Sequence, residues 1–146
     1  MAVTISKKLQ SHIFQHVEGT FPNEGGGFLL GTRAGDDILV KDAIHIDNIF
    51  ETEEQYHRYA MTPQNWANME DEADSRGLTL IGYHHSHPHA PAIPSEFDRD
   101  HALPNFLYLI TSVQAGEATD MRAWTLKADR TAFDANELKI TEGETE

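Results

Sequence analysis

The chain has 146 residues, 39% hydrophobic and 24% charged, an ordinary globular composition that argues against disorder or a coiled coil. That length suits one domain and excludes large hydrolase scaffolds such as the TIM barrel, which needs about 250 residues. Lys and Arg number 11 against 24 Asp and Glu, a net charge of −13, so neither nucleic acid nor an anionic membrane is an expected partner.

Apolar Ile5, Leu9, Ile13, Phe14 and Val17 recur at helical spacing and predict an amphipathic helix over 5–17, with Thr4 or Ser6 as cap. Pro22 to Gly27 reads as a turn, and Phe28-Leu29-Leu30-Gly31 as a short buried strand. Gly35-Asp36-Asp37 is a hairpin signal, leading into a strand between Ile38 and Ile49. Arg58 to Met61 predicts another short strand. Thr62-Pro63 opens a second helix, with Thr62 as N-cap, that runs to about Arg76 before Gly77. Leu78 to Gly82 is an apolar strand that heads straight into a run of histidines. A short helix is expected from Ser95 to about Ala102, and the most hydrophobic strand from Asn105 to Val113. After a turn at Ala115-Gly116 come a strand from Met121 to Leu126 and a last element over Phe133 to Leu138. Helices and strands alternate irregularly, which predicts a mixed α/β (α+β) class with one sheet and helices packed on it. Acid is concentrated in 51–54, in 70–74 and from Asp134 to Glu146, runs that read as solvated helix faces and a solubilising tail.

Cysteine is absent, so any metal must be held by nitrogen and oxygen, and no disulfide framework points to secretion. The first residues lack a signal peptide's apolar core, and no stretch approaches a membrane span of about 20 residues, so the cytoplasm is the expected location. The chemistry lies in Gly82-Tyr83-His84-His85-Ser86-His87-Pro88 and onward to Asp98. Side chains alternate on a strand, so His85 and His87 share a face at a strand's end, where Pro88 stops the ladder. Two imidazoles and the Asp98 carboxylate can hold one metal ion and leave a fourth position open for water, as catalytic zinc sites do. Ser95-x-x-Asp98 also has the spacing of a helix capping box, a structural role that accounts for the same two residues. His84 is out of phase and is expected to face the core; His89 follows the pair in a loop and His101 lies near Asp98, while His12, His16, His45 and His57 read as surface or packing residues. Trp66 and Trp124 read as core. An amidohydrolase barrel, which opens with His-x-His, is excluded by length, and a metallo-β-lactamase by the missing Asp-His half of its motif after His87.

Glu24, then a long gap, then His85-Ser86-His87-Pro88, Ser95 and Asp98 resembles the JAMM (MPN-type) metallopeptidase motif. Upstream, Pro22-Asn23-Glu24-Gly25-Gly26-Gly27-Phe28-Leu29-Leu30-Gly31 is similar to the family's glutamate segment, with Gly26 where relatives often carry cysteine. The likeness covers roughly Ile5 to Leu126 and is strongest to small bacterial Mec-type peptidases, which act on ubiquitin-like sulfur carriers. It implies a cytidine-deaminase-like domain over residues 1–140, with one curved mixed sheet and an acidic tail at 141–146. It implies one Zn2+ per chain on His85, His87 and Asp98, with Glu24 as general base and Ser95 as oxyanion donor. The implied partner is a ubiquitin-like or sulfur-carrier protein ending in Gly-Gly, cleaved after that pair; the oligomeric state stays open. Two alternatives remain at this point: a catalytically silent binding scaffold of the same fold, and a zinc hydrolase of a small peptide or amide.

Overall fold

The computed structural model describes residues 2–46, 62–103 and 106–142. Among these residues seven strands and three helices follow one another: β1 (Ala2–Ser6), α1 (Lys7–Thr20), β2 (Gly26–Ala34), β3 (Asp37–His45), α2 (Pro63–Ser75), β4 (Thr79–Pro88), α3 (Glu96–His101), β5 (Leu107–Gln114), β6 (Glu117–Leu126) and β7 (Phe133–Thr141). The strand expected at Arg58 to Met61 and the residue His57 lie outside the described residues.

Local signals set the helix starts. Ser6 caps α1, its Oγ accepting from the Leu9 amide at 3.1 Å, and Thr62 caps α2 by accepting from the Asn65 amide at 3.2 Å, with Pro63 in the first turn. The first helix therefore begins two residues later than the apolar spacing predicts. Ile5 belongs instead to β1, which pairs in parallel with both β3 and β7. Those pairings are long-range, and helical periodicity carries no trace of them. The hairpin between β2 and β3 turns at Gly35, with φ +60°, and that between β5 and β6 at Ala115 and Gly116, with φ +53° and +84°.

The sheet is mixed and closes on itself in the order β1-β3-β2-β4-β5-β6-β7, with β7 returning to β1. Much of the acidic stretch from Asp134 is thus a barrel-closing strand rather than a tail, with Asp134 and Glu137 exposed on it. All seven strands contribute to one enclosed apolar cluster, which includes Ile5, Leu29, Ile38, Ile81 and Leu109 and is joined by Leu9 and Ile13 of α1. Burying each such Leu or Ile contributes about 1.5–3 kcal/mol before entropy is counted. A second cluster lies on the opposite face, where α2 covers β4: Phe28, Leu80, Tyr83 and Tyr108, with Trp66 of α2 partly buried against them. Trp66 packs as expected, its ring 6.0 Å from that of Tyr83 and 5.1 Å from Phe106.

β4 and β5 run parallel at the centre, joined through α3, and β5 is buried from Leu107 to Val113. A strand covered on both faces accounts for that unbroken apolar run. Crossover units of this kind place ligands beyond the carboxyl ends of their strands. Here that end is His85 to Pro88. Among the described residues no helix is long and apolar enough to cross a membrane.

Candidate metal centre

At the end of β4 the side chains alternate as the sequence predicts. His85 and His87 lie on one face, and His84 lies on the other. α3 then brings Asp98 to the histidine pair, so that the ligand atoms of His85, His87 and Asp98 all lie within 4.8 Å of one another. Among the described residues this is the one such group.

The spacing can be tested against an ion. Ligands about 2.0–2.1 Å from a tetrahedral zinc stand about 3.3–3.4 Å from one another. His85 Nε2 and His87 Nε2 are 3.2 Å apart, His85 Nε2 and Asp98 Oδ1 3.3 Å, and His87 Nε2 and Asp98 Oδ2 3.4 Å. His87 Nδ1 lies 3.1 Å from the Pro91 carbonyl oxygen; a carbonyl only accepts, so Nδ1 carries the proton and Nε2 is left as the donor toward an ion. The three residues fit a divalent metal in donor type and distance, and His87 also in tautomer.

Ser95 and Asp98 also form the capping box. The Asp98 amide donates to Ser95 Oγ at 3.0 Å, and the Ser95 amide donates to Asp98 Oδ2 at 2.9 Å. The structural and the ligand readings of Asp98 therefore hold together: the cap fixes the carboxylate that faces the histidines. Burial alone raises the Asp98 pKa, but the neighbouring His85, the adjoining His87 and a hydrogen bond from the Ser95 amide hold it well below the usual carboxylate range.

Glu24 sits just before β2 and is only 6% exposed, unusual burial for a glutamate in a glycine-rich turn. It faces the same pocket as His87 and Ser95, a cleft of about 440 Å3 whose walls include Pro22, Pro91 and Ile93. Sequence reasoning thus named five residues that the fold draws together in two adjoining groups, the His85–His87–Asp98 cluster and a pocket shared by Glu24, His87 and Ser95.

Other residues shape the pocket, His89 of the loop after the ligand pair among them. His89 adopts φ +62° and lays its ring 4.9 Å from Phe21, closing one wall. Ser112 Oγ donates to the Ala90 carbonyl at 2.5 Å and Trp124 Nε1 to the Ala92 carbonyl at 3.0 Å, which ties the ligand-flanking loop down to β5 and β6. Trp124 was expected only in the core, yet it also lines a smaller cleft of about 270 Å3 beyond Ser95, beside Arg99 and Phe133. Loop carbonyls carry no sequence signal, so only the fold reveals these anchors. The side chain of His101 lies outside the described residues.

On the reverse face of β4, His84 is fully buried. Its Nε2 is 3.3 Å from His45 Nδ1, and the His45 ring stacks on that of His16 at 4.3 Å. Burial, then the neighbouring histidines His45, His16 and His85, holds the His84 pKa well below its ordinary value, so this imidazole stays neutral.

A closed mixed sheet with a histidine pair at a strand end and a capped carboxylate opposite defines a small α/β domain able to hold one metal ion beside a pocket. The chain belongs to the family of prokaryotic homologs of the JAB domain, which matches residues 6–127. It is 29% identical over 113 residues to the desampylase of Haloferax volcanii, covering 77% of this chain and 78% of that protein. A solution structure from Desulfitobacterium hafniense matches with TM-score 0.79 and 27% identity, over 97% of this chain and 94% of the other. A JAB1/MPN domain protein from Archaeoglobus fulgidus shares the fold at TM-score 0.60 and 17% identity, over 97% of this chain and all of that one.

Proposed function

We propose that this chain is a cytoplasmic zinc-dependent peptidase that hydrolyses the amide bond after the C-terminal Gly-Gly of a ubiquitin-like or sulfur-carrier protein. The observation that carries the reading is the convergence of His85, His87 and Asp98 beside a pocket that also holds a buried Glu24 and Ser95. Family membership and the likeness to a desampylase, by its name a deconjugating enzyme, support the choice of substrate class.

His85, His87 and Asp98 would hold one zinc ion, which when bound acts as a Lewis acid on the scissile carbonyl and makes water a better nucleophile near neutral pH. Glu24 takes a proton from the attacking water as its oxygen bonds to the carbonyl carbon. The carbon–nitrogen bond then breaks, and Glu24 returns that proton to the leaving amine. Ser95 Oγ already accepts from the Asp98 amide, so its own proton can be donated to the carbonyl oxygen as negative charge develops there. A cleft with proline walls suits an extended, side-chain-free Gly-Gly tail.

The test is intact-mass analysis of small Gly-Gly-ending carriers, each extended by cysteine or a short peptide, incubated with the metal-loaded protein. Wild type is expected to remove the extension. Glu24→Gln should keep the metal and lose about 10²–10⁴-fold in rate, and Ser95→Ala about 100-fold, also with metal retained. If the metal-loaded wild type cleaves no carrier but hydrolyses short peptides, the substrate is a small amide. If it cleaves neither, the chain is a binding scaffold and the enzymatic reading is wrong.

A further inference from the structure

Ser86 stands between the two histidines, its side chain directed to the opposite side of β4 from theirs, and is fully buried. Its hydroxyl accepts a hydrogen bond from the Gly25 amide at 2.9 Å, while its own amide donates to the Gly25 carbonyl at 3.0 Å. The regular pairing of β2 with β4 ends one step away, at Gly26 opposite His85. At Gly25 a side-chain oxygen thus receives the amide that would otherwise continue the ladder, and the chain turns so that the preceding residue, Glu24, enters the pocket. On its other flank Glu24 is fixed through the Asn23 amide, which donates to the Thr20 carbonyl at the end of α1 at 2.8 Å. Gly25 itself is wedged against that helix end: a Cβ there would lie 2.5 Å from Thr20 Oγ1, so no other residue fits without movement.

We propose that Ser86 is a positioning residue that sets Glu24 relative to the His85–His87 pair, and this rests on the reading of Glu24 as general base. The tether runs from the strand that carries both histidines, through one side-chain hydrogen bond, to the residue next to the base. The base and the ligand pair are thereby referenced to a single rigid element. Displacement of a reacting group by about 1 Å can cost about 100-fold in rate, so the loss of one such tether is expected to be visible in turnover.

The experiment compares Ser86→Ala, Ser86→Thr and Glu24→Gln in the metal-loaded protein with a cleavable carrier, reading kcat, KM and metal content. Ser86→Ala should lower kcat by about 10- to 100-fold with KM and metal content unchanged, and Ser86→Thr, which keeps the hydroxyl, should restore most of it. In single-turnover reactions Ser86→Ala should add no further loss to Glu24→Gln, because it acts through that carboxylate. Should Ser86→Ala not fold, Ser86→Cys, which keeps the volume but is a poor acceptor, is read by the same criteria. An unchanged kcat, a loss of metal in step with rate, or a full additional loss on top of Glu24→Gln overturns the role given to Ser86. Near-wild-type turnover by Glu24→Gln overturns instead the general-base reading on which it rests.

Discussion

The two faces of β4 present histidines to two different surroundings. On one face His85 and His87 meet a carboxylate at 3.3 and 3.4 Å beside an open pocket. On the other, the fully buried His84 meets the half-buried His45 and His16, and the ring contacts that join the three involve no carboxylate. Three imidazoles close together do not make a metal centre. Their rings stack and cross at 4.3 to 6.2 Å, and their nitrogens do not converge as those of the ligand face do. What separates the faces is the capped Asp98, which adds negative charge and fixes the third corner.

The sharpest way to break this contrast is metal analysis of two variants. His87→Ala should lose the ion and with it all turnover, whereas His45→Ala should keep one ion per chain and its activity, as read by elemental analysis and carrier cleavage. Loss of metal from His45→Ala would show that the reverse face contributes to the site. A second test falls on the seam between the faces. A Cβ at Gly27 would lie 2.9 Å from both His84 Nε2 and the Cα of His45, so Gly27→Ala should destabilise the fold by about 1–3 kcal/mol in urea unfolding. Little change there would mean that the histidine cluster yields easily.

The smallest effect probes how dry the packing is beneath the ligand face. Burial, against a hydrogen bond from the Leu103 amide, raises the Tyr108 phenol to about 12. Its contribution is complete below the unfolded pKa of about 10 and is lost as pH rises toward 12, because the unfolded chain releases a proton that the folded chain retains. Stability should therefore fall by up to about 1.4 kcal/mol per pH unit above pH 10. The Tyr83 phenol, also raised by burial, contributes a loss in the same direction, so Tyr108→Phe should lower the slope rather than abolish it. An undiminished slope in Tyr108→Phe would assign all of it to another group.

Much of the site could be read from residues alone because its information is local. Alternation along a strand puts His85 and His87 together and His84 apart, and a three-residue spacing puts Ser95 and Asp98 in one capped turn. Ser86 shared that visibility: its phase already separates it from its neighbours, though not what it binds. Glu24 was legible only through the family motif, since nothing in a glycine-rich turn announces that its glutamate is 6% exposed. The anchors at Pro91, Ser112 and Trp124 were not legible, because main-chain carbonyls have no residue-type signature.

The sequence by itself determined most of the elements, where α2 and α3 start, and which three side chains have the chemistry to share an ion, since these depend on capping, periodicity and ligand type at short range. Tertiary structure alone decided that β1 and β7 close the sheet, that the Glu24–Gly25 segment is carried to β4, with Gly25 bonded to a residue 61 positions away, and that one histidine group gains a carboxylate while His84 is buried on the other face. Those outcomes depend on pairings between distant segments. Their free energy comes from burying apolar faces together, and no short window of residues encodes which faces will meet.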